Sequence, residues 1–257
     1  LGVITEVTLR LYGVPEAIRA ATCAFPSLTA AVDTVVSIIQ AGVPVARIEL
    51  LDEVQIGAVN RYSKLDYKVA PTLLFEFHGT TQGVAEQVEM AEAFAGERGG
   101  AEFRWAATME ERNKLWQARH DAYFAAIALR PGSGAWATDV CVPISQLARC
   151  IGETKEDLAR VSIISPIVGH VGDGNFHLSM LIDPEKPEEL AEAKALNERM
   201  VARAIAMGGT CTGEHGVGYG KVGFLPAEHG EALDVMRSIK RALDPDNIMN
   251  PGKILRL

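Results

Sequence analysis

The chain has 257 residues, a formal net charge of −8 and a sequence pI of about 5.3. Hydrophobic residues make up 48% and charged residues 23%, which is typical of globular domains and excludes disordered and fibrous classes. The acidic balance disfavours a nucleic-acid binder, and no apolar run approaches the ~20 residues that a membrane-spanning helix needs. The length fits one large domain or two small ones.

The four cysteines lie far apart in the sequence and form no CxxC pair. In a chain of this length they predict reduced thiols in the core of an intracellular protein rather than a disulfide framework. They are Cys23, Cys141, Cys150 and Cys211.

The first residues show a strand pattern without a conventional start. The chain begins at Leu1, not at a methionine, and has no signal-peptide layout. Val3, Val7, Leu9 and Leu11 share one parity, which predicts a strand already under way at residue 1. We therefore expect that a preceding part of the protein has been removed; a trimmed native start is the alternative.

The first half of the chain alternates strand and helix patterns. Four runs predict strands, at residues 21–25, 45–51, 72–77 and 101–106, and two stretches with helical spacing predict helices at 28–39 and 84–95. This order of βαβ followed by βαβ predicts an α+β fold. Its form is a ferredoxin-like split βαβ sandwich, in which helices cover one face of an antiparallel sheet.

The second half is more helical. Thr108 and Glu111 predict a capping box for one long helix that runs to about Leu129. Further strands are expected at 136–142, 162–168 and 176–182, and further helices after Ser145, at 187–207 and at 226–243.

The segment from His170 to His177 contains the sharpest chemical signal. Asp173-Gly174 is typical of a two-residue hairpin turn, and counting outward from that turn sets His170 directly opposite His177. Opposed side chains on one face lie roughly 4.5–5.5 Å apart at Cβ, which suits two imidazoles on one metal ion. The alternative is an exposed hairpin with two unrelated polar residues.

A glycine-rich segment, Gly213 to Gly218, adds two more candidates. Glu214 is a candidate third metal ligand, and His215 a candidate base beside the metal, because neighbouring residues of an extended segment point in opposite directions. The alternative is a helix entry that Glu214 caps.

Arg119 and Tyr123 share one face of the predicted long helix, where an arginine can hold a carboxylate in a two-pronged hydrogen bond. An ordinary surface arginine is the alternative. Glu76, at a strand end, and Asn250, in the closing segment NPGK, are weaker candidates that carry no specific signal alone.

Three motifs in order resemble one flavoprotein family. GHVGDGNFH, GEHGVG and the closing DPDNIMNPGKIL resemble the C-terminal half of the FAD-linked oxidases that act on 2-hydroxy acids, in the vanillyl-alcohol-oxidase-like superfamily. VARIELLDE and ATDVCVP point within it towards the enzymes of D-lactate and glycolate. The resemblance covers nearly the whole chain.

The resemblance implies a division of the chain into three parts. Residues 1–18 would end a truncated FAD-binding domain, residues 19–210 would form an α+β cap or substrate domain, and residues 211–257 would return to the flavin. An N-terminal FAD domain of the same protein is the implied partner. A cytoplasmic location is expected, with the periphery of the inner membrane, a homodimer and the electron acceptor left open.

The resemblance also implies roles for the candidate residues. His170, His177 and Glu214 match ligands of a divalent metal, zinc-like in these enzymes, and His215 matches the proposed base. Arg119 matches the arginine that grips the substrate carboxylate, with Tyr123 beside it. We assign flavin contacts to Asn250 and Glu76. FAD and a divalent metal, zinc by preference, are thus the expected cofactors.

The sequence departs from the relatives that oxidise D-2-hydroxyglutarate. Those relatives carry a lysine where this chain has Ala137, and an asparagine where it has Ser179. We therefore expect oxidation of a small D-2-hydroxy acid, D-lactate or glycolate, to the 2-oxo acid. Two alternatives remain open: a non-catalytic cap that binds metal and substrate, and a zinc hydrolase.

Overall fold

The computed structural model describes all residues from 1 to 257. Its first half runs in the order β1 (Ala17–Ala24), α1 (Leu28–Gln40), β2 (Val45–Leu51), α2 (Glu53–Ser63), β3 (Thr72–Gly79), α3 (Thr81–Gly96) and β4 (Ala101–Trp105). Side-chain oxygens cap the helix starts: Ser27 accepts from a backbone N–H of α1, and Thr80 from one of α3. These caps set where each helix begins after its strand.

The second half is built from smaller pieces than the sequence predicts. It runs α4 (Met109–His120), α5 (Ala122–Ala128), β5 (Gly134–Ala137), β6 (Val140–Cys141), α6 (Leu147–Leu158), β7 (Ile167–Gly169), β8 (Asn175–Ile182), α7 (Pro187–Ala206), α8 (Leu225–His229) and α9 (Ala232–Leu243). The capping box of Thr108 and Glu111 is present at the start of α4.

All strand pairs are antiparallel, and the sheet order is β4-β1-β3-β2-β7-β8-β5, with β6 also paired to β8. The first four strands have the order of a ferredoxin-like sandwich, which confirms the predicted fold. The sequence did not predict that the sheet continues across β2 into β7, β8 and β5.

Both faces of the sheet carry helices. Helices α1, α3, α6 and α7 bury one face in a cluster of 36 residues, and α2, α4 and α5 bury part of the other face in a cluster of 11 residues. The prediction of helices on one face alone is therefore incomplete. The sequence did not predict helix α2, because residues 53–63 are largely polar. Two of its apolar residues, Ile56 and Val59, are nevertheless fully buried.

Five predicted elements differ from the structure. The strand predicted at 136–142 is divided into β5 and β6, and the strand predicted at 162–168 is reduced to β7. Residues 1–15 form no strand, since no other strand pairs with them and their apolar side chains stay exposed. The predicted long helix is interrupted at Asp121, which ends α4 before α5 packs against α2. The predicted helix at 226–243 is divided at Gly230, whose φ of +53° no helix accommodates.

The junction between β2 and β7 positions the candidate site. These strands share two register pairs, Leu50 with Gly169 and Leu51 with Val168. Glu49 immediately precedes this junction on β2, and His170 immediately follows β7. The chemistry-bearing side chains therefore gather where the ferredoxin-like unit meets the rest of the sheet.

Candidate active site

A cavity of about 190 Å³ lies at the edge of this junction. Elements far apart in the sequence supply its walls. They include Arg119 and Tyr123 from the region of α4 and α5, His177 and Ser179 from β8, and Glu214 and His215 from the glycine-rich segment. His170 and Ala137 also line the cavity, so the structure brings eight predicted or compared positions into one place.

The two histidines meet, although not through the predicted pairing. Val168, not His170, lies opposite His177 in the strand register, and residues 171–173 form a 3₁₀ turn rather than a two-residue hairpin. Of the two predicted turn residues, Gly174 alone has a positive φ, +79°. The rings of His170 and His177 nevertheless lie 5.8 Å apart between centroids because the turn folds His170 back.

Glu214 completes a group of three ligand atoms. Its Oε1 lies 3.1 Å from Nε2 of His170 and 3.0 Å from Nε2 of His177. Ligand atoms bound to one zinc ion at ~2.0–2.2 Å would lie roughly 3–3.5 Å from one another. Both glutamate–histidine distances match that spacing, and all three ligand atoms lie within 4.8 Å of one another, so the group could hold a divalent metal.

Hydrogen bonds at Nδ1 orient both rings. Nδ1 of His170 lies 2.7 Å from Oε1 of Glu49, and Nδ1 of His177 donates to the carbonyl of Thr138 at 2.8 Å. A carbonyl only accepts, so the proton of neutral His177 is on Nδ1 and its Nε2 is bare. Two acceptors, this Nε2 and the Glu214 carboxylate, then face each other at 3.0 Å, which fits a cation bound by both.

The surroundings shift the pKa of the two histidines in opposite directions. Burial lowers the pKa of His177, which favours the neutral ring that a metal requires. The hydrogen bond to Glu49 raises the pKa of His170, against the opposing effect of burial. Without a cation, His170 can therefore hold a proton between the two glutamates, Glu49 and Glu214.

Arg119 is held by the same carboxylate that orients His170. Its Nε and Nη2 lie 3.0 and 2.9 Å from Oε2 of Glu49. This ion pair fixes one edge of the guanidinium group, and Nη1 makes no hydrogen bond to the protein. Arg119 is therefore not an ordinary surface arginine, because it is oriented beside the cavity with donors to spare.

His215 and Tyr123 present unpaired polar groups to the cavity. The His215 ring stacks on His177 at 4.8 Å between centroids, and its Nε2 lies 3.7 Å from Oε1 of Glu214, beyond hydrogen-bond distance. The hydroxyl of Tyr123 is also free, and its side chain packs edge-on against Phe124. Both groups are placed to contact a small molecule in the cavity.

A buried carboxylate, Asp139, fixes the glycine-rich segment. It accepts from the backbone N–H of His215 at 2.9 Å, from the hydroxyl of Thr212 at 2.9 Å, from the amide of Asn175 at 2.8 Å and from the ammonium of Lys221 at 2.8 Å. Burial alone would raise the pKa of Asp139, but these donors outweigh it and hold the pKa well below its usual value.

Close packing around Asp139 explains one glycine of the segment. A Cβ on Gly213 would lie 1.7 Å from Nδ2 of Asn175, so only glycine fits between the Asn175 amide and the loop. Asp139, His177 and His215 also form a group that could hold a metal. The donors already bound to Asp139 make the group of His170, His177 and Glu214 the better site.

The two proposed flavin contacts lie outside this cavity. Glu76 is fully buried in β3, where it pairs with Arg47, Arg112 and His78. Asn250 has a left-handed backbone, with a φ of +48°, and its side chain accepts from Lys253. These contacts do not involve a flavin, so the assignment of Glu76 and Asn250 as flavin contacts stays a prediction.

Asn250 is connected to the glycine-rich segment through its neighbours. The hydroxyl of Tyr219 donates to the carbonyl of Pro251, and the N–H of Ile254 donates to the carbonyl of Gly218. The C-terminal segment therefore packs a few residues from His215.

Sequence reasoning missed Glu49 and Asp139. Glu49 lies within β2 and Asp139 between β5 and β6. These residues are 6% and 1% exposed, and each holds a cation and part of the site. The available signal was a single acidic residue inside an otherwise apolar run, as in Ile48-Glu49-Leu50, because burying an unpaired charge is costly.

The chain belongs to the family described as FAD linked oxidases, C-terminal domain, whose model matches residues 14–254. It is 54% identical to the probable D-lactate dehydrogenase, mitochondrial, of Danio rerio, over 100% of this chain and 52% of that protein. It is 45% identical to the D-lactate dehydrogenase (cytochrome), mitochondrial, of Arabidopsis thaliana, over 99% of this chain and 45% of that protein.

A bacterial relative is more distant. Glycolate oxidase subunit GlcD of Bacillus subtilis is 32% identical over 99% of this chain and 54% of its own length. The chain therefore spans about half the length of the curated relatives it matches.

Solved structures share the fold. A 4-ethylphenol oxidase from Gulosibacter chungangensis matches with a TM-score of 0.72 at 16% identity, over 96% of this chain and 55% of that one. A p-cresol methylhydroxylase matches with a TM-score of 0.64 at 14% identity, over 93% and 53%. Among the helices of this chain, none combines the length and the apolar character needed to cross a membrane.

Proposed function

We propose that this chain is the substrate-binding half of an FAD-dependent oxidoreductase that converts a small D-2-hydroxy acid, D-lactate or glycolate, to its 2-oxo acid. One observation carries the proposal. The group of His170, His177 and Glu214 shares a cavity with Arg119, an arginine with free donors. The names of the relatives, which are D-lactate dehydrogenases and glycolate oxidase subunits, support the choice of substrate.

The size of the cavity suits such a substrate. The cavity of about 190 Å³ has room for a small acid such as glycolate or lactate. A metal ion held by His170, His177 and Glu214 would supply Lewis acidity to the substrate hydroxyl and carboxylate.

The chain's own residues would orient the substrate and move its proton. Arg119 would bind the carboxylate through the donors that Glu49 leaves free, and so fix which face of Cα meets the flavin. Tyr123 would add a hydrogen bond from its hydroxyl. His215, whose ring nitrogens are unpaired, would take the hydroxyl proton as a general base. FAD, when bound, would accept the hydride from Cα.

The charges around the cavity favour a monocarboxylate. Arg119 carries one positive charge, and Glu49 and Glu214 carry two negative ones, so a divalent ion and one substrate carboxylate bring the set to neutrality. A second carboxylate would add an uncompensated buried charge. The cations Lys221 and Arg130 do not line the cavity and are already paired, with Asp139 and Glu189.

Most flavin contacts would come from a partner domain of the same protein. We propose that residues 1–18 continue from that N-terminal domain, that residues 19–210 form the substrate domain and that residues 211–257 return to the flavin. Asn250 is the proposed flavin contact of this return segment, and Glu76 a second one. The proposal does not specify the electron acceptor or whether the protein forms a homodimer. A cytoplasmic location stays a prediction, whereas the names of two relatives given above include the word mitochondrial.

The same residues would also fit two other functions, a zinc hydrolase and a non-catalytic cap. A zinc hydrolase uses the same kind of ligand set, but membership of the FAD linked oxidase family favours the oxidoreductase. A non-catalytic cap would bind metal and acid without turnover. The test below separates it from the enzyme.

The experiment compares substrates in a protein that joins this chain to its flavin-binding domain, with an artificial electron acceptor. We expect kcat/KM for D-lactate or glycolate to exceed that for D-2-hydroxyglutarate at least roughly tenfold, since ~1.4 kcal/mol gives that factor. The Ala137→Lys variant should narrow the difference, because a lysine there supplies the missing cation. Equal activity on the dicarboxylate would contradict the proposed specificity. If no 2-hydroxy acid were oxidised, the chain would be assigned as the non-catalytic cap instead.

A further inference from the structure

A single carboxylate, that of Glu49, contacts both halves of the proposed site. Its Oε1 lies 2.7 Å from Nδ1 of His170, and its Oε2 lies 3.0 Å from Nε and 2.9 Å from Nη2 of Arg119. Its side chain is 8% exposed. We propose that Glu49 is a positioning residue that couples the metal ligand His170 to the substrate-binding Arg119, an inference that rests on the function proposed above.

The coupling follows from how the two oxygens are used. Because His170 contacts one oxygen and Arg119 the other, neither can move without moving the rigid carboxylate that the second partner needs. The side chain leaves β2 at the β2–β7 junction, between the fully buried neighbours Leu50 and Ile48. The backbone therefore gives Glu49 little freedom to follow one partner alone.

A carboxylate is the one side-chain group that can serve both partners here. Glutamine has the same shape but offers one acceptor oxygen and one NH₂ donor. Arg119 only donates, so it would take the oxygen, and the NH₂ would face Nδ1 of His170. The His170 proton would then move to Nε2, the nitrogen that must be bare to bind a metal.

The coupling must also be reciprocal. If a bound metal strengthens the binding of a 2-hydroxy acid, the acid strengthens the binding of the metal by the same factor. Glu49 contributes to that factor because it fixes the Arg119 donors relative to the ligand nitrogen of His170. Loss of Glu49 should therefore lower both the metal affinity and this factor.

The test is a Zn²⁺ titration of the 257-residue chain against a chromophoric chelator, with and without saturating D-lactate. Three proteins are compared: the unmodified chain, Glu49→Gln and Glu189→Gln. The last is a matched control, because Glu189 also pairs closely with an arginine, Arg130, but lines no part of the cavity. Circular dichroism and thermal melting check that each variant is folded.

We expect Glu49→Gln to bind Zn²⁺ roughly 10–100-fold more weakly than the unmodified chain, as is typical when a second-layer partner of a metal ligand is lost. Glu189→Gln should match the unmodified chain. D-Lactate should tighten Zn²⁺ binding in the unmodified chain. The ratio of the Zn²⁺ affinities with and without D-lactate should be at least roughly threefold smaller in Glu49→Gln. A purely structural role for Glu49 would leave the D-lactate factor unchanged.

The failures are distinguishable. An unmodified chain that binds no Zn²⁺ overturns the proposed metal site and this inference with it. If Glu49→Gln binds Zn²⁺ as tightly as the unmodified chain, or if D-lactate tightens Zn²⁺ binding by the same factor in both, the coupling role of Glu49 is overturned and the proposed metal site is not. Should Glu49→Gln fail to fold, Glu49→Asp replaces it. The shorter Asp keeps the charge but withdraws both oxygens, so the same losses are expected and their absence overturns the coupling.

Discussion

Replacing Asp139 by asparagine should destabilise the protein and release the segment that carries Glu214 and His215. The Asp139 side chain is fully buried, and its partner Lys221 is 19% exposed at the side chain. Removing one partner of a buried ion pair costs about 3–5 kcal/mol, because the other charge stays behind. The residual exposure of Lys221 places the expected loss near the lower end, about 3 kcal/mol.

The pH range of the measurement follows from the pKa of Asp139. The folded-state pKa is depressed, so the contribution to stability is present above the unfolded value of about 3.9 and is lost as the pH falls through the folded value. From pH 5 to 7 the contribution of Asp139 should therefore be constant. Unfolding experiments at two pH values in this range should give the same loss of stability.

The assay is urea unfolding followed by circular dichroism and tryptophan fluorescence. The double variant Asp139→Asn with Lys221→Met removes both charges, and it should recover at least about 1 kcal/mol relative to the sum of the single losses. A loss below about 1 kcal/mol for Asp139→Asn would refute the reasoning. So would strict additivity in the double variant, since it would mean that the two charges do not interact.

Three further predictions concern His177, His215 and Asp52. His177→Ala leaves His170 and Glu214 as ligands, too few for a tight site, so Zn²⁺ affinity should fall by orders of magnitude; unchanged metal content would indicate no metal site here. In a protein that includes the flavin-binding domain, His215→Ala should lower kcat by roughly 10²–10⁴-fold, and a rise in KM at constant kcat would assign His215 to binding instead. Burial raises the pKa of Asp52 to about 6, so stability should fall as the pH rises through that value, by on the order of 2–3 kcal/mol. Asp52→Asn should abolish this fall in urea unfolding at pH 4 and 7, and an unaltered slope would contradict the role of Asp52.

The sequence predicted the ferredoxin-like unit because its apolar periodicity is local. Each strand and helix of β1-α1-β2 and β3-α3-β4 has its own pattern and its own cap or turn. The pattern failed where tertiary contacts decide the outcome. Residues 1–11 alternate like a strand but find no partner strand, and α2 is a helix that packing on α5 stabilises despite its polar composition.

The candidate site was predicted only in part. The hairpin argument and the family resemblance grouped His170, His177 and Glu214, and the structure brings these side chains together, although the register that does so is different from the predicted hairpin. Glu49 lies more than a hundred residues from His170 in the chain. No local sequence pattern indicates a contact over that separation. The shared role of this buried carboxylate is therefore visible only in the folded sheet.

The short junction between β2 and β7 has a consequence for how the molecule melts. Their backbone pairing spans two residues on each strand, while the contact of Glu49 with His170 bridges the same boundary from the cavity. A ligand that tightens this contact acts as a crosslink between the ferredoxin-like unit and the strands beyond it. Its binding free energy adds to the free energy of unfolding as RT ln(1 + [L]/Kd), and both parts share the gain. The 36-residue core already spans both parts, so loading the cavity should raise the free energy of unfolding of the molecule as a whole.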